Sequence, residues 1–261
     1  MADPDDELAG TEQPFVAHLI ELRDRLIRAM VSVLVVAGVL FLYPGPSRLY
    51  DLMAAPLVAS LPQGTHLIAT SVISPFVVPL KILLLTSFLV SLPVVLYQAW
   101  AFVAPGLYSH EKRLVLPLVI SSTVLFFLGV AFCYFFVFGR VFHFIQSFAP
   151  KSITAAPDIE AYLSFVMTMF LAFGAAFEVP IIVVVLARMG VVSIEKMREY
   201  RGYFIVVAFI VAAVITPPDI VSQLALAIPM CLLYEIGLWA ARIFIRTTQA
   251  PEEQLPAATD K

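Results

Sequence analysis

Six stretches of the chain are apolar for long enough to matter to a membrane. A membrane-spanning helix needs roughly 20 predominantly apolar residues, and such runs cover residues 26–43, 75–97, 114–138, 162–187, 203–216 and 220–240. The runs are continuous, which excludes a transmembrane β-barrel, whose strands alternate apolar and polar positions over ~10 residues. The fifth run has only about 14 residues, short of the usual spanning length. Pro217, Pro218 and Asp219 separate it from the sixth, and proline cannot continue a helix from the preceding turn. Runs five and six therefore predict a short hairpin that thins the bilayer locally. The expected architecture is all-α: a polytopic membrane protein with six transmembrane helices. Its single domain, 1–261, divides into an amphipathic segment (1–25), a six-helix membrane region (26–240) and a tail (241–261).

Composition agrees with the pattern. The chain is 61% hydrophobic and 13% charged, against roughly 25% charged in soluble domains. An even number of spans puts both termini on one side. That side takes Arg23, Arg25, Arg28, Lys112, Arg113, Arg188, Lys196, Arg198, Arg201, Arg242, Arg246 and Lys261, twelve basic residues against the four of the other side, Arg48, Lys81, Arg140 and Lys151. The excess of basic residues marks the cytoplasmic side. The acidic start of the chain lacks the basic n-region and short apolar core of a secretory signal, so the first run is expected to stay as an anchor. The loops 44–74 and 139–161 are half apolar and predict ordered caps. Cys133 and Cys231 lie in apolar runs without metal or redox spacing and read as packing residues.

Four constellations carry candidate chemistry. In the first, before run one, Phe15, Leu19, Leu22 and Leu26 form an apolar stripe at helical spacing. His18, Glu21, Arg25 and Arg28 occupy the opposite face, with Glu21 and Arg25 as i,i+4 neighbours. The residues alone leave open an interfacial amphipathic helix or a binding surface. The second is Trp100-Ala-Phe102-Val-Ala-Pro105-Gly106-Leu107-Tyr108-Ser-His110-Glu111-Lys112-Arg113. Here Pro-Gly fixes a turn, and Glu111 is either a receptor for a cation or the partner of a neighbouring base.

The third is Glu178, the single charge in the 24 residues from 164 to 187. A carboxyl group at that depth costs several kcal/mol and marks a functional site by default; the alternative is a protonated Glu hydrogen-bonded to a neighbouring helix. Pro180 removes a helix hydrogen bond beside it. Gly174, Ala175 and Ala176 are small enough to admit another helix. The fourth is Thr216-Pro217-Pro218-Asp219 with Gln223, where Asp219 is equally apt as an N-cap or as a functional acid. Pro93, Pro117 and Pro229 predict bends that shape a concave wall.

Metalloprotease, serine-hydrolase and phosphate-loop signatures are missing from the sequence. His18, His66, His110 and His143 are scattered. No cofactor, metal, enzymatic activity or nucleic-acid partner is expected.

The chain closely resembles the TatC family, the receptor subunits of the twin-arginine protein translocase, from about residue 13 to 246. The carriers are His18-Leu-Ile-Glu21-Leu-Arg23-x-Arg25-Leu26, Ala55-Pro56-Leu57, Phe102-x-x-Pro105-Gly106-Leu107-x-x-x-Glu111, Phe177-Glu178-x-Pro180 and Thr216-Pro217-Pro218-Asp219. The resemblance implies a concave, glove-like bundle in the bacterial inner membrane. It implies binding of twin-arginine signal peptides on folded cargo, with Glu21 and Glu111 meeting the arginines and Arg23 and Phe102 shaping the patch. Glu178 would engage a single-span TatA or TatB partner, and Thr216 and Gln223 would lie where such a helix packs. Other copies of the chain and the lipid bilayer complete the partners, and the proton gradient supplies the energy.

A proton-coupled secondary transporter using Glu178 is the competing reading. Carriers of that kind show repeat symmetry and polar residues from several spans. Runs one to three do not align with runs four to six, and Glu178 is the only strong mid-depth charge.

Overall fold

The computed structural model describes residues 4–60, 68–103, 115–148, 158–216 and 219–246. Its helices are α1 (Pro4–Leu42), α2 (Pro46–Ser60), α3 (Ser74–Val103), α4 (Val115–Phe132), α5 (Phe138–Phe148), α6 (Ile159–Phe177), α7 (Val179–Arg188), α8 (Ile194–Glu199), α9 (Arg201–Ile215) and α10 (Ile220–Arg246). A π-helical turn, Cys133–Val137, joins α4 to α5. Among the described residues five stretches are long and apolar enough to cross a membrane: Val16–Leu42, Ser74–Val103, Val115–Phe144, Ile159–Arg188 and Ile220–Ile243. The sixth, α9, has 15 residues, about 22 Å at 1.5 Å per residue and so shorter than a bilayer core of about 30 Å. The fold is an all-α polytopic membrane protein.

Several boundaries differ from the sequence expectation, each for a local reason. The amphipathic segment and run one are one helix of 39 residues. From Val16 to Leu42 no proline interrupts it, and the Glu21–Arg25 pair supports the turn between them. Run three continues through α5, so the following loop begins ten residues later than expected. Run four divides at Glu178, because Pro180 has no N–H to give Ala176 and its ring crowds that carbonyl. The 44–74 and 188–202 loops contain the helices α2 and α8.

The chain forms two compact units, one from residues 1–123 and 149–167, the other from 124–148 and 168–261. In the first, α1 packs along α3, and α2 covers α3 as well. His18 meets Phe102, while Ser91 Oγ donates to Ser32 O at 3.2 Å, so the two helices run antiparallel. Buried Ser87 and Ser91 thin the face of α3 and permit close approach. Leu49, Val78, Ile82, Leu83 and Leu163 form the core.

In the second unit, α10 packs against α7 and α9. A Cβ on Gly237 would stand 2.9 Å from Pro180 Cα, so glycine sets that spacing. Val183, Met197, Tyr234 and Leu238 form the core. Tyr234 Oη donates to Met197 O at 2.8 Å, and Phe204 stacks on the Tyr234 ring at 4.0 Å. Helix α7 ends in a Schellman motif: Val191 N donates to Leu186 O and Gly190 N to Ala187 O, both at 3.2 Å. Gly190 takes φ +69° there, a conformation that a side chain disfavours.

Candidate functional site

The first candidate site lies at one end of the α1–α3 pair. Leu19, Leu22 and Leu26 of the apolar stripe are exposed, Leu26 by 60%, whereas Glu21 and Arg25 are half-buried. The amphipathic stretch therefore turns its apolar face outward, the reverse of a helix on a soluble protein. Glu21 Oε1 accepts from Arg25 Nε at 2.9 Å and from Nη2 at 2.6 Å. The pair is an i,i+4 bridge with the acid N-terminal, the favoured order, worth about 0.3–0.5 kcal/mol at a surface. Arg23 projects into solvent and pairs with Asp24 at 2.8 Å.

One turn before Glu21, the His18 ring stacks on Phe102 of α3 with centroids 4.3 Å apart and 19° between planes. Trp100 Nε1 donates to the buried Ser122 Oγ at 2.8 Å, joining α3 to α4 just behind Phe102. Glu21, Arg23 and Phe102 thus belong to one corner of the first unit. Pro105, Gly106 and Glu111 lie outside the described residues.

The second candidate site is Glu178, 8% exposed in the turn between α6 and α7. Its N donates to Ala175 O at 3.1 Å, and its carbonyl accepts from Ile181 and Ile182 N, both at 3.0 Å. The carboxylate does not cap α7, and Pro180 falls in the first turn of that helix, where a missing N–H is tolerated. Gly174–Ala176 do admit another helix, but at Gly174 it is one of this chain's own rather than a partner's. A Cβ on Gly174 would stand 2.4 Å from the Phe126 ring, so α4 of this chain already fills that notch, and Ala176 is buried. Ala175 remains exposed.

At the α9–α10 corner, Thr216 is buried and its Oγ1 donates to Ala212 O at 2.8 Å. Gln223 Nε2 donates to Phe209 O at 3.3 Å. Asp219 caps α10: its Oδ1 accepts from Ser222 N at 2.7 Å. Pro217 lies outside the described residues, and Pro56 falls within α2. Among the described residues no cluster of three or more His, Cys, Asp or Glu side chains can hold a metal ion.

Comparison with known proteins decides what these corners belong to. Residues 17–229 match the family model of the Sec-independent protein translocase protein TatC. The chain is 47% identical over 241 residues to the Sec-independent protein translocase protein TatC of Escherichia coli strain K12, covering 92% of this chain and 93% of that protein. The protein of the same description from Aquifex aeolicus is 38% identical over 235 residues, covering 89% and 96%. A crystal structure of a twin-arginine translocase receptor, TatC, matches with a TM-score of 0.76 at 39% identity, over 88% of this chain and all of that one.

This chain belongs to the TatC family. It is a polytopic member of a protein-transport family. Three features of this TatC-family chain escape a reading of the sequence. At the end of the first unit away from Glu21, Glu160 Oε1 accepts from Lys81 Nζ at 2.7 Å, and its Oε2 accepts from the buried Ser74 Oγ at 2.9 Å. Beside it, Asp158 accepts from Thr70 Oγ1 at 2.9 Å, Thr70 N at 3.2 Å and Ala161 N at 3.0 Å. The Ala161 N–H, followed by the Thr70 bonds, holds the Asp158 carboxyl below the usual carboxylate range against an opposing desolvation. Ile159 N donates to Ile68 O at 2.9 Å and completes the tie. The one signal in the sequence was a lone base and a lone acid near the ends of separate apolar runs.

In the second unit, Arg201 of α9 pairs with Glu235 of α10 at 2.6 Å. The π-helical turn buries Cys133 and Val137 and exposes Phe135 by 73%. A uniformly apolar run carries no mark of such a turn.

Proposed function

We propose that this chain is the core receptor of a twin-arginine translocation system, reading twin-arginine signal peptides on folded cargo and recruiting TatA- and TatB-type single-span partners. Glu21 and Glu111 take the two guanidinium groups, with Arg23 and Phe102 shaping the patch. Carboxylates suit this task because a guanidinium–carboxylate pair is planar, often bidentate and geometrically selective. A lysine ammonium is a point charge and gains less from the same site. The observation that carries the reading is the stacking of His18 on Phe102. It brings the Glu21 turn of α1 against the end of α3 from which the chain runs on toward Glu111.

Glu178 and the exposed Ala175 meet a polar residue of a partner helix, and Thr216 and Gln223 mark a second contact at the α9–α10 corner. The proton gradient drives transport. Both termini face the cytoplasm of a bacterial inner membrane, a reading supported by the twelve-to-four division of basic residues.

Crosslinking of a twin-arginine peptide to purified protein, beside a twin-lysine control, tests the receptor role. Preferential labelling by the twin-arginine peptide is expected, and equal labelling of the two refutes it. Glu111→Ala is expected to weaken that labelling while the protein still accumulates. Glu178→Ala is expected to leave labelling intact and to disturb partner docking or transport. A pure loss of abundance in Glu178→Ala would mark the residue as structural.

A further inference from the structure

The receptor patch named above contains a side chain with no role yet. His18 sits one helical turn before Glu21, so the imidazole and the carboxylate are surface neighbours on one face of α1, about 5–6 Å apart at Cβ. Its ring lies nearly parallel to that of Phe102, 4.3 Å away. Phe102 is half-buried behind it, while His18 is exposed. One face of the imidazole is thus backed by an aromatic ring and the residue is open to solvent. Both Arg25 donors converge on Oε1 of Glu21, and Oε2 is the oxygen that a second guanidinium would meet.

We infer that His18, backed by Phe102, is the stacking platform for one signal-peptide arginine, and that it contributes selectivity for arginine over lysine. The inference rests on the receptor reading above and goes beyond it. A guanidinium is planar and weakly hydrated on its faces, so it can lie flat on an aromatic ring while its edge bonds a carboxylate. An ammonium has no flat face to offer and keeps its hydration. The carboxylate at Glu21 attracts either cation; the flat ring one turn away favours the planar one, which can stack on it. Phe102 then serves two ends, filling the α1–α3 corner and holding the imidazole plane in place.

The test uses the full-length protein in nanodiscs and a fluorescent peptide carrying either twin arginines or twin lysines. The reading is the ratio of the two dissociation constants. His18→Ala should weaken the twin-arginine peptide by at most about two- to five-fold, the range of an exposed contact between a cation and an aromatic ring, and weaken the twin-lysine peptide less, so that the ratio falls. His18→Phe should keep the wild-type ratio. His18→Leu, which fills the space without a π face, should behave as His18→Ala and decides the matter if the alanine variant does not accumulate. A wild-type ratio in His18→Leu overturns the inference. So does an equal loss for both peptides, which would make His18 a pin between two helices. Glu21→Gln separates the premise: if it loses twin-arginine binding while His18→Leu keeps the ratio, the receptor reading stands and the platform falls. If wild-type protein binds both peptides alike, the receptor reading fails and the platform fails with it.

Discussion

Gly129 offers a sharp test of how α4 is held against α6 in the second unit. A Cβ built there would stand 2.4 Å from Phe173 O and 2.9 Å from Phe173 C, with the Phe177 ring at 3.0 Å. Ordinary contact begins near 3.4 Å, so Gly129→Ala leaves the two backbones about 1 Å too close. The obstructing atoms are main chain within a helix and cannot rotate away, so α4 and α6 must part. Phe132, packed on Phe173 and Phe177 with centroids 5.9 and 5.8 Å away, then loses contact as well. Helix association in lipid depends on this close packing rather than on expulsion of water. Overpacking of this kind costs about 1–3 kcal/mol. At about 2–4 °C per kcal/mol for a chain of this size, Tm should fall by roughly 2–12 °C. Gly38→Ala is the control: nothing lies within 4 Å of its Cβ position, and alanine favours the helix by about 0.8–1.0 kcal/mol. Thermal unfolding of both variants in the same detergent measures the difference. A Gly129→Ala protein as stable as Gly38→Ala would refute the packing argument.

The remaining predictions concern the polar ties and one helix end. Glu160→Ala should destabilise more than Lys81→Met, because it also strips the acceptor from a fully buried Ser74 hydroxyl, a loss of about 1–3 kcal/mol. The Lys81–Glu160 pair is itself half-exposed and screened by solvent, so its loss alone should matter less; equal Tm values for the two variants would contradict this. The depressed carboxyl of Asp158 contributes stability above its unfolded value, about pH 3.9, and that contribution is lost as pH falls through the lower folded value. Thermal stability should therefore fall below about pH 4 in wild type, and Asp158→Asn should flatten that dependence. Gly190→Ala should cost about 1 kcal/mol through backbone strain alone, since nothing crowds its Cβ position; an unchanged Tm would count against the left-handed cap.

What the sequence made legible was local. Asp219 reads as a cap because the N–H it accepts from is three residues on. Glu21 and Arg25 read as a pair because helix geometry alone joins them. The six apolar runs follow from composition, and the Glu178 break follows from Pro180. What stayed hidden depends on other segments. Lys81 and Glu160 are 79 residues apart, Thr70 and Asp158 are 88 apart, and nothing near either acid announces its partner. The small residue at Gly174 marks a close approach, but a sequence shows that a residue is small and not what occupies the space, here Phe126. In helices that are apolar all round no stripe marks the inner face, so the α4–α6 contact and the π-helical turn carried no periodic signal.

The unbroken course of α1 has a consequence for how its sequence can change. Because no hinge separates Glu21 from the membrane-crossing part, its bearing toward Phe102 is a phase angle carried along the helix from the Ser32–Ser91 contact onward. One residue added between positions 26 and 31 would swing the acidic turn by about 100° and lift it by about 1.5 Å. Substitutions on the lipid side of this stretch leave the phase untouched, whereas insertions and deletions of any length that is not close to whole turns unseat it. The segment can thus drift in composition while remaining fixed in length.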